Sequence, residues 1–340
     1  VSENAAAIAG KIPSQTRPDM KAPWITYRPE IKVLDCTIRD GGLINDHLFE
    51  DDLVKAVYQA CVAAGVDYME IGYKANRGLF SGKFGDWKFC EEDDLRRIVG
   101  DNATNLKLSA MADAGKCEWR TDILPKEKSA LDLIRVACYV YQIPEAVDMI
   151  KDAHQKGYEV AANLMAVSTV QEAELDQALE VLAGTPATTV VVVDSNGSLY
   201  AEQIEILVKK YKKALEGTNK EVGIHAHNNL QLAFANTIEA IIHGVNRVDA
   251  TIAGLGRGAG NCPMELLLGF LRNPKFKLRP ILKVIQDHFV TLRQNMEWGP
   301  LVPYNITGQL NQHPRAAMAL RAGPNKDNYA EFYDKCTADN

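Results

Sequence analysis

Along the chain, short continuous apolar runs alternate with stretches whose apolar positions recur at helical spacing. The runs are IKVLDCTI (31–38), DYMEIGY (67–73), LKLSAMA (106–112), LIRVACYVY (133–141), YEVAANLMAV (158–167), TTVVVVD (188–194), EVGIHAH (221–227) and VNRVDATIA (245–253). Between them, segments near 50–64, 92–99, 144–156, 171–183, 200–215 and 230–243 predict amphipathic helices, while 114–131 is interrupted by Asp122 and Pro125. Strands apolar on both faces belong to a parallel sheet covered by helices. Eight such units favour an α/β fold of the closed (β/α)8 TIM-barrel type over an open sheet. No strand leads into a G-x-G-x-x-G loop, which removes the usual dinucleotide-binding alternative. AAGVDYMEI (63–71), HQKGYEVAA (154–162) and IIHGVNRVDA (241–250) repeat one layout. Each is a helix end, a glycine suited to a left-handed cap (Gly65, Gly157, Gly244), then a strand.

The pattern changes at both ends. Residues 1–30, with Pro13, Pro18 and Pro23 among scattered charges, read as an N-terminal extension without the apolar core of a secretion signal. Residues 31–272 form the expected barrel, and 262–272 its eighth helix. From NPKFKLRP (273–280) to residue 340 the chain reads as a C-terminal helical appendage.

Composition narrows the function classes. Hydrophobic residues make up 46% and charged residues 24%, which excludes a disordered or fibrous chain. The 38 basic and 44 acidic residues give a net charge of -6 with no dense basic block, so no nucleic-acid partner is expected. No apolar stretch reaches the ~18–20 residues that span a bilayer, so none is expected at a membrane. The seven cysteines are odd in number and without a C-x-x-C pair, as in a reduced cytoplasmic protein.

Reactive groups in such barrels sit where strands end at the C-terminal face. Here nearly every strand ends in polar residues: Arg39 and Asp40, then Glu70, Tyr73 and Lys74, Asp113, Tyr141 and Gln142, Asn163 and Ser168, Asp194 and Ser195, His225 and His227. Any one of them could be a cap; closure of almost all of them points to a site. In GIHAHNN (223–229) two histidines at i and i+2 share one face of a strand. With Asp40 from another odd-numbered strand they offer three N/O ligands to one divalent metal, leaving positions open for substrate. GLGRGAGNCPME (254–265) is either an anion-binding loop or a tight turn into the last helix. Lys74 is a weaker Schiff-base alternative. His47 and His313 lie in loops that can approach the site; His154 and His243 precede capping glycines.

DCTIRDGG (35–42) and His225-Ala226-His227, in order and in the expected strands, resemble the DRE-TIM metallolyase superfamily. That group includes isopropylmalate and homocitrate synthases, hydroxymethylglutaryl-CoA lyases and metal-dependent 4-hydroxy-2-oxovalerate aldolases. The run HAHNNLQLAFANTIEAIIHGVNRVDATIAGLGRGAGNCPMELLL (225–268) and VVVDSNG (191–197) are similar to the last of these. The resemblance implies a carbon–carbon lyase acting beside a 2-oxo acid such as pyruvate, with an aldehyde or other carbonyl acceptor. It implies a divalent metal on Asp40, His225 and His227, Mn2+ or Mg2+ foremost and Co2+ or Zn2+ as alternatives. Arg39 would stabilise the enolate oxygen, so Arg39→Ala is expected to remove activity and spare the fold. Ser195 would meet the keto-acid carboxylate, and Asn163 and Tyr73 complete the expected substrate-binding set.

Two departures stand out. Where those aldolases carry a proton-transferring histidine, three residues past the metal aspartate, this chain has Leu43, leaving His47, Tyr304 or a bound water as the acceptor-side acid/base. PYNITGQLNQHP (303–314) matches only loosely the region that in those enzymes carries a site tyrosine and docks a dehydrogenase, so that partner is not carried over; a homodimer is compatible. Cys262 follows Asn261 instead of completing the G-x-G-G-C-P loop of the CoA lyases. An acyl-CoA-dependent Claisen synthase is the alternative enzyme, and a catalytically silent binding subunit the alternative of another class.

Overall fold

A computed structural model describes residues 28–338. Most of the expected N-terminal extension therefore lies outside the described residues. The eight apolar runs close into one parallel barrel in sequence order, with β1 hydrogen-bonded to both β2 and β8. The strands are β1 (Lys32–Asp35), β2 (Tyr68–Tyr73), β3 (Lys107–Asp113), β4 (Leu133–Cys138), β5 (Glu159–Leu164), β6 (Thr189–Asp194), β7 (Glu221–Ala226) and β8 (Arg247–Ala250). They are shorter than the apolar runs because the last residues of several runs turn over the barrel mouth. Arg39 and Asp40 thus stand on a helical turn, Thr37–Gly41, and not on β1 itself.

The covering helices are α1 (Asp51–Ala64), α2 (Glu92–Val99), α3 (Trp119–Asp122), α4 (Ile143–Gln155), α5 (Glu172–Ala183), α6 (Ala201–Ala214), α7 (Ala233–Ile242) and α8 (Met264–Leu271). The broken segment 114–131 leaves α3 only four residues long. Gly65, Gly157 and Gly244 take φ of 74°, 95° and 94°, the left-handed conformation a side chain resists. One apolar core fills the space between strands and helices, drawing on Val33, Met69, Ile134, Val160 and Val248. No helix of the described residues is long and apolar enough to cross a membrane.

The barrel lumen is not uniformly apolar. At the N-terminal end Arg247 pairs with Glu159 (2.7 Å) and Glu221, with its guanidinium 4.7 Å from the Tyr68 ring. Charge plugs this end of the barrel, away from the mouth.

Past residue 272 the chain continues as α9 (Leu278–Val284), a π-helical turn (Ile285–Phe289) and α10 (Val290–Asn295), then α11 (Val302–Gln309), α12 (Arg315–Ala322) and α13 (Tyr329–Thr337). The C-terminal part is clamped to the barrel mouth by polar side chains. Asn305 donates to the Asn229 carbonyl (2.6 Å). Asn311 accepts from Ser168 and Ser198 Oγ (both 2.7 Å), and Asn196 donates to its carbonyl (3.0 Å). These bonds reach loops after β5, β6 and β7, so the appendage closes over the face where a barrel carries its chemistry.

Candidate metal centre

Three ligand atoms converge at the mouth. His225 Nε2 lies 3.2 Å and His227 Nε2 3.8 Å from Asp40 Oδ2, and all three side chains are buried. Two adjacent ligands of an ion bound at about 2.1 Å stand about 3 Å apart, so this spacing suits one divalent metal. His225 Nε2 is buried without a hydrogen-bond partner, as a metal-facing nitrogen must be when no proton donor serves it. His225, at the end of β7, faces Asp40 together with His227, which follows directly and bridges to Asn261. The carboxylate and imidazole donors, the convergence and the orphaned nitrogen fit a metal.

A ring of buried ion pairs holds this set from behind. Arg39 Nη1 donates to Asp40 (2.9 Å) and Nε to Glu70 (2.6 Å). Arg135 Nη1 donates to Glu70 (3.0 Å) and its Nη2 to Asp249, which stands 3.0 Å from His225 Nδ1. The Asp249 carboxylate thus takes the Nδ1–H and presents Nε2 to the metal position. Burial pushes the Asp40 carboxyl up, but Arg39 and the two imidazoles outweigh it and hold it well below the usual range. Burial lowers His225, yet its Nδ1 bond to Asp249 and the facing negative charge of Asp40 outweigh that and raise it. Burial dominates at His227 and holds it well below the ordinary histidine range, unprotonated and able to ligate. Cys36, His225 and Asp249 also cluster, but Asp249 is already committed to Arg135 and His225.

Asp249→Asn should weaken metal affinity by about 10- to 100-fold, because an amide cannot set the His225 tautomer as the carboxylate does. Titration of the metal-free variant with Mn2+ measures this; affinity equal to the native chain would separate Asp249 from ligand orientation.

The glycine-rich loop resolves as a tight turn that frames the metal set. Gly256 and Gly260 pass where a Cβ would collide with the Asn261 amide and the Gly254 carbonyl. The Arg257 amide points to Asp40 Oδ1 (3.4 Å), and Gly260 accepts from the Asn228 amide (2.8 Å).

Around this centre a cavity is lined by Arg39, Leu43, Tyr73, Asn163, Ser195, His225 and His227, with Met111, Ala137, Met165 and Val193 as its apolar wall. Neither amide atom of Asn163 has a hydrogen-bond partner. Ser195 Oγ accepts from the Ala166 amide (2.9 Å), leaving its proton free to donate. Tyr73 stands edge-on to His47, ring centres 5.3 Å apart. The expected substrate-binding residues are therefore brought together.

The two candidate acid/base residues are not. His47 is buried behind Tyr73, does not line the cavity, and is held down to about 3 by burial and the charge of Lys88. Tyr304 packs among Ala259, Ile306, Ala317 and Phe332, with its phenol pushed up to about 12 by burial. The apolar face of α11 draws it into the appendage and away from the cavity. His313 reaches the cavity instead, carried by the turn before α12 together with Arg315. Its Nδ1 accepts from the Arg315 amide (3.2 Å), and burial with the charges of Arg257 and Arg315 holds it down to about 3, so it is a neutral imidazole with its proton on Nε2.

Other expectations resolve individually. Lys74 donates to the Cys90 carbonyl (2.6 Å) and faces Glu92 (3.6 Å), which takes it out of Schiff-base chemistry here. Cys262 is buried with its thiol pushed up to about 12 by burial, unlike a reactive cysteine. Asp194 caps its own loop through the Ser198 and Leu199 amides (3.1 and 3.2 Å), and Tyr141 is exposed. Sequence reading missed Arg135, Asp249, Lys88, Arg257 and Arg315. The first two left a signal, a charge embedded in an apolar strand, and Arg257 lay in the glycine-rich loop already singled out at 254–265.

An eight-stranded parallel barrel with an Asp/His/His set at its mouth defines a metal-dependent barrel enzyme class. Comparisons with known proteins take this further. The HMGL-like family model matches residues 135–286. The 4-hydroxy-2-oxovalerate aldolase of Thermus thermophilus is 31% identical over 77% of this chain and 73% of its own length. A 4-hydroxy-2-oxovalerate aldolase 1 from Mycobacteroides abscessus is 30% identical over 71% of this chain and 66% of its own length, just under two thirds. The N-terminal domain of a candidate aldolase from Bacteroides vulgatus superposes with a TM-score of 0.74 at 29% identity, covering 88% of this chain and all of that one. The chain belongs to the HMGL-like, DRE-TIM metallolyase family in the group that contains these aldolases, and it is a carbon–carbon lyase.

Proposed function

We propose that the protein makes or cleaves the C–C bond beside the carbonyl of a pyruvate-like 2-oxo acid, with an aldehyde or ketone as the other partner. The observation that carries this is Arg39 Nη2, buried and unpartnered at the cavity beside Asp40, His225 and His227. When bound, a divalent metal on Asp40, His225 and His227 supplies a Lewis acid for the 2-oxo acid's carboxylate and carbonyl oxygens. Mn2+ and Mg2+ suit the mixed carboxylate–imidazole set, with Co2+ and Zn2+ as alternatives.

The chain's own residues do the rest. The Arg39 guanidinium, fixed by Glu70, holds positive charge at the oxygen that becomes anionic in the enolate. Ser195 and Asn163 donate to the carboxylate and orient the methyl carbon toward the acceptor side. Tyr73 and the apolar wall exclude water from the enolate. His313, with its proton on Nε2, donates to the acceptor oxygen; a water completes the proton transfer that Leu43 cannot perform. Residues 31–272 are the catalytic barrel in this reading, and 273–340 the appendage that completes the cavity. The seven free thiols, most of them buried, suit a reducing cytoplasm.

Two assays test it: deuterium exchange into the pyruvate methyl group, and retro-aldol cleavage of a 4-hydroxy-2-oxo acid, both in the metal-loaded protein. Both activities are expected. His313→Ala should slow cleavage by about 10²-fold, the low end for general acid–base help, and affect exchange far less. Absence of exchange with every divalent metal would remove the aldolase reading.

A further inference from the structure

Besides the groups assigned to the keto acid, the cavity wall carries Lys88, Lys116, Arg257 and Arg315, against one further carboxylate, Asp113. Lys116 pairs with Asp113 (2.8 Å). The other three cations have no carboxylate within ion-pair distance among the described residues. Lys88 is only 8% exposed, and its ammonium lies 4.7 Å from the Tyr73 ring and 4.5 Å from the Phe80 ring. Arg257 Nε is buried without a hydrogen-bond partner. Arg315 opens α12, beside His313.

Burying a cation without a partner is costly, which holds for Lys88 and the Arg257 Nε, whereas Arg315 stands exposed at the mouth; aromatic faces offset only part of that cost. The inner ring does not need these charges. Its three carboxylates (Asp40, Glu70, Asp249) meet two guanidiniums and a divalent metal, and one keto-acid carboxylate completes the balance. Lys88, Arg257 and Arg315 are surplus to the first substrate.

We propose that the acceptor half of the cavity takes a carbonyl compound bearing an oxyanion group, phosphate or carboxylate, held by Lys88, Arg257 and Arg315. In the addition direction the enolate carbon bonds to the acceptor carbonyl carbon. The C=O π pair moves onto its oxygen, which takes one proton, and the oxyanion group is unchanged. The appendage is then the specificity element, since it brings Arg315 to a barrel that supplies Lys88 and Arg257. For the reacting carbons this rests on the aldolase reading; binding of the oxyanion does not.

The experiment uses the full chain loaded with Mn2+ and acceptors in matched pairs: glyceraldehyde against glyceraldehyde 3-phosphate, and propanal against succinic semialdehyde. Charge-assisted bonds from two or more cations should favour the charged member by about 100-fold in kcat/KM. The pair with the larger preference identifies phosphate or carboxylate. Lys88→Met and Arg315→Met should each reduce that preference about 10-fold, through KM for the charged acceptor. Equal use of charged and neutral acceptors overturns the proposal. So does an equal rise in the pyruvate KM for deuterium exchange, which would assign the cations to the keto acid. Calorimetric titration with inorganic phosphate provides a readout free of catalysis. If exchange and C–C chemistry are both absent, the aldolase reading fails. Phosphate binding that weakens in both variants then still supports the oxyanion subsite, and no binding to the native chain overturns it.

Discussion

Asp40→Ala is expected to abolish divalent-metal binding and, with it, both enolisation and C–C cleavage by about 10³-fold or more. Asp40 is the one anionic member of the set, and its Oδ2 is the atom both imidazoles approach, at 3.2 and 3.8 Å. Two neutral imidazoles alone, one of them tied to Asp249, are a poor site for a hard divalent ion. Arg39 keeps its Glu70 partner in the variant, so the barrel should remain folded. Elemental analysis after gel filtration, with thermal unfolding alongside, reads both halves of this expectation. One metal per chain retained by the variant would dismiss Asp40 as a ligand.

Arg39→Met should lower the rate of enolisation by about 10²–10³-fold, the usual effect of losing one preorganised donor at a developing oxyanion. The structure adds a second effect that the sequence does not suggest. Arg39 is buried between Asp40 and Glu70, and removing one partner of such a network typically costs about 3–5 kcal/mol. The expectation that this substitution spares the fold is therefore revised to a marked loss of thermal stability. Bound Mn2+ should restore part of it, because the metal offsets the exposed charge of Asp40. Thermal unfolding of native and variant chains with and without Mn2+ tests this. A variant as stable as the native chain, or one with native exchange rates, would separate Arg39 from the corresponding role.

The eight strands and most helices were legible because period and length are local properties: a doubly buried strand must be apolar throughout, and an amphipathic helix must repeat near 3.6 residues. His225 and His227 were legible because i, i+2 spacing fixes a common face, and Asp40 because it closes the first strand run in DCTIRDGG. The third helix was not, since Asp122 and Pro125 show where a helix fails but not how little remains. Arg135 and Asp249 lie in strands that read as apolar. Which residues they meet depends on strand stagger around the closed barrel, and no single strand carries that information.

By itself, the sequence determined a closed (β/α)8 barrel and singled out Arg39, Asp40, His225 and His227, side chains that the structure brings together at its mouth. The absence of a proton-transferring side chain at Leu43 was equally plain. Only the tertiary structure decided which other residues line the cavity beside them. His47, four positions from Leu43, is buried behind Tyr73, and Tyr304 is held by the appendage's apolar cluster. His313 and Arg315, more than 80 residues beyond His227, arrive instead through the Asn305 and Asn311 clamps. The physical reason is that local patterning specifies elements and their buried faces. The partner across a cavity is set by how those elements pack, a long-range outcome of the whole chain.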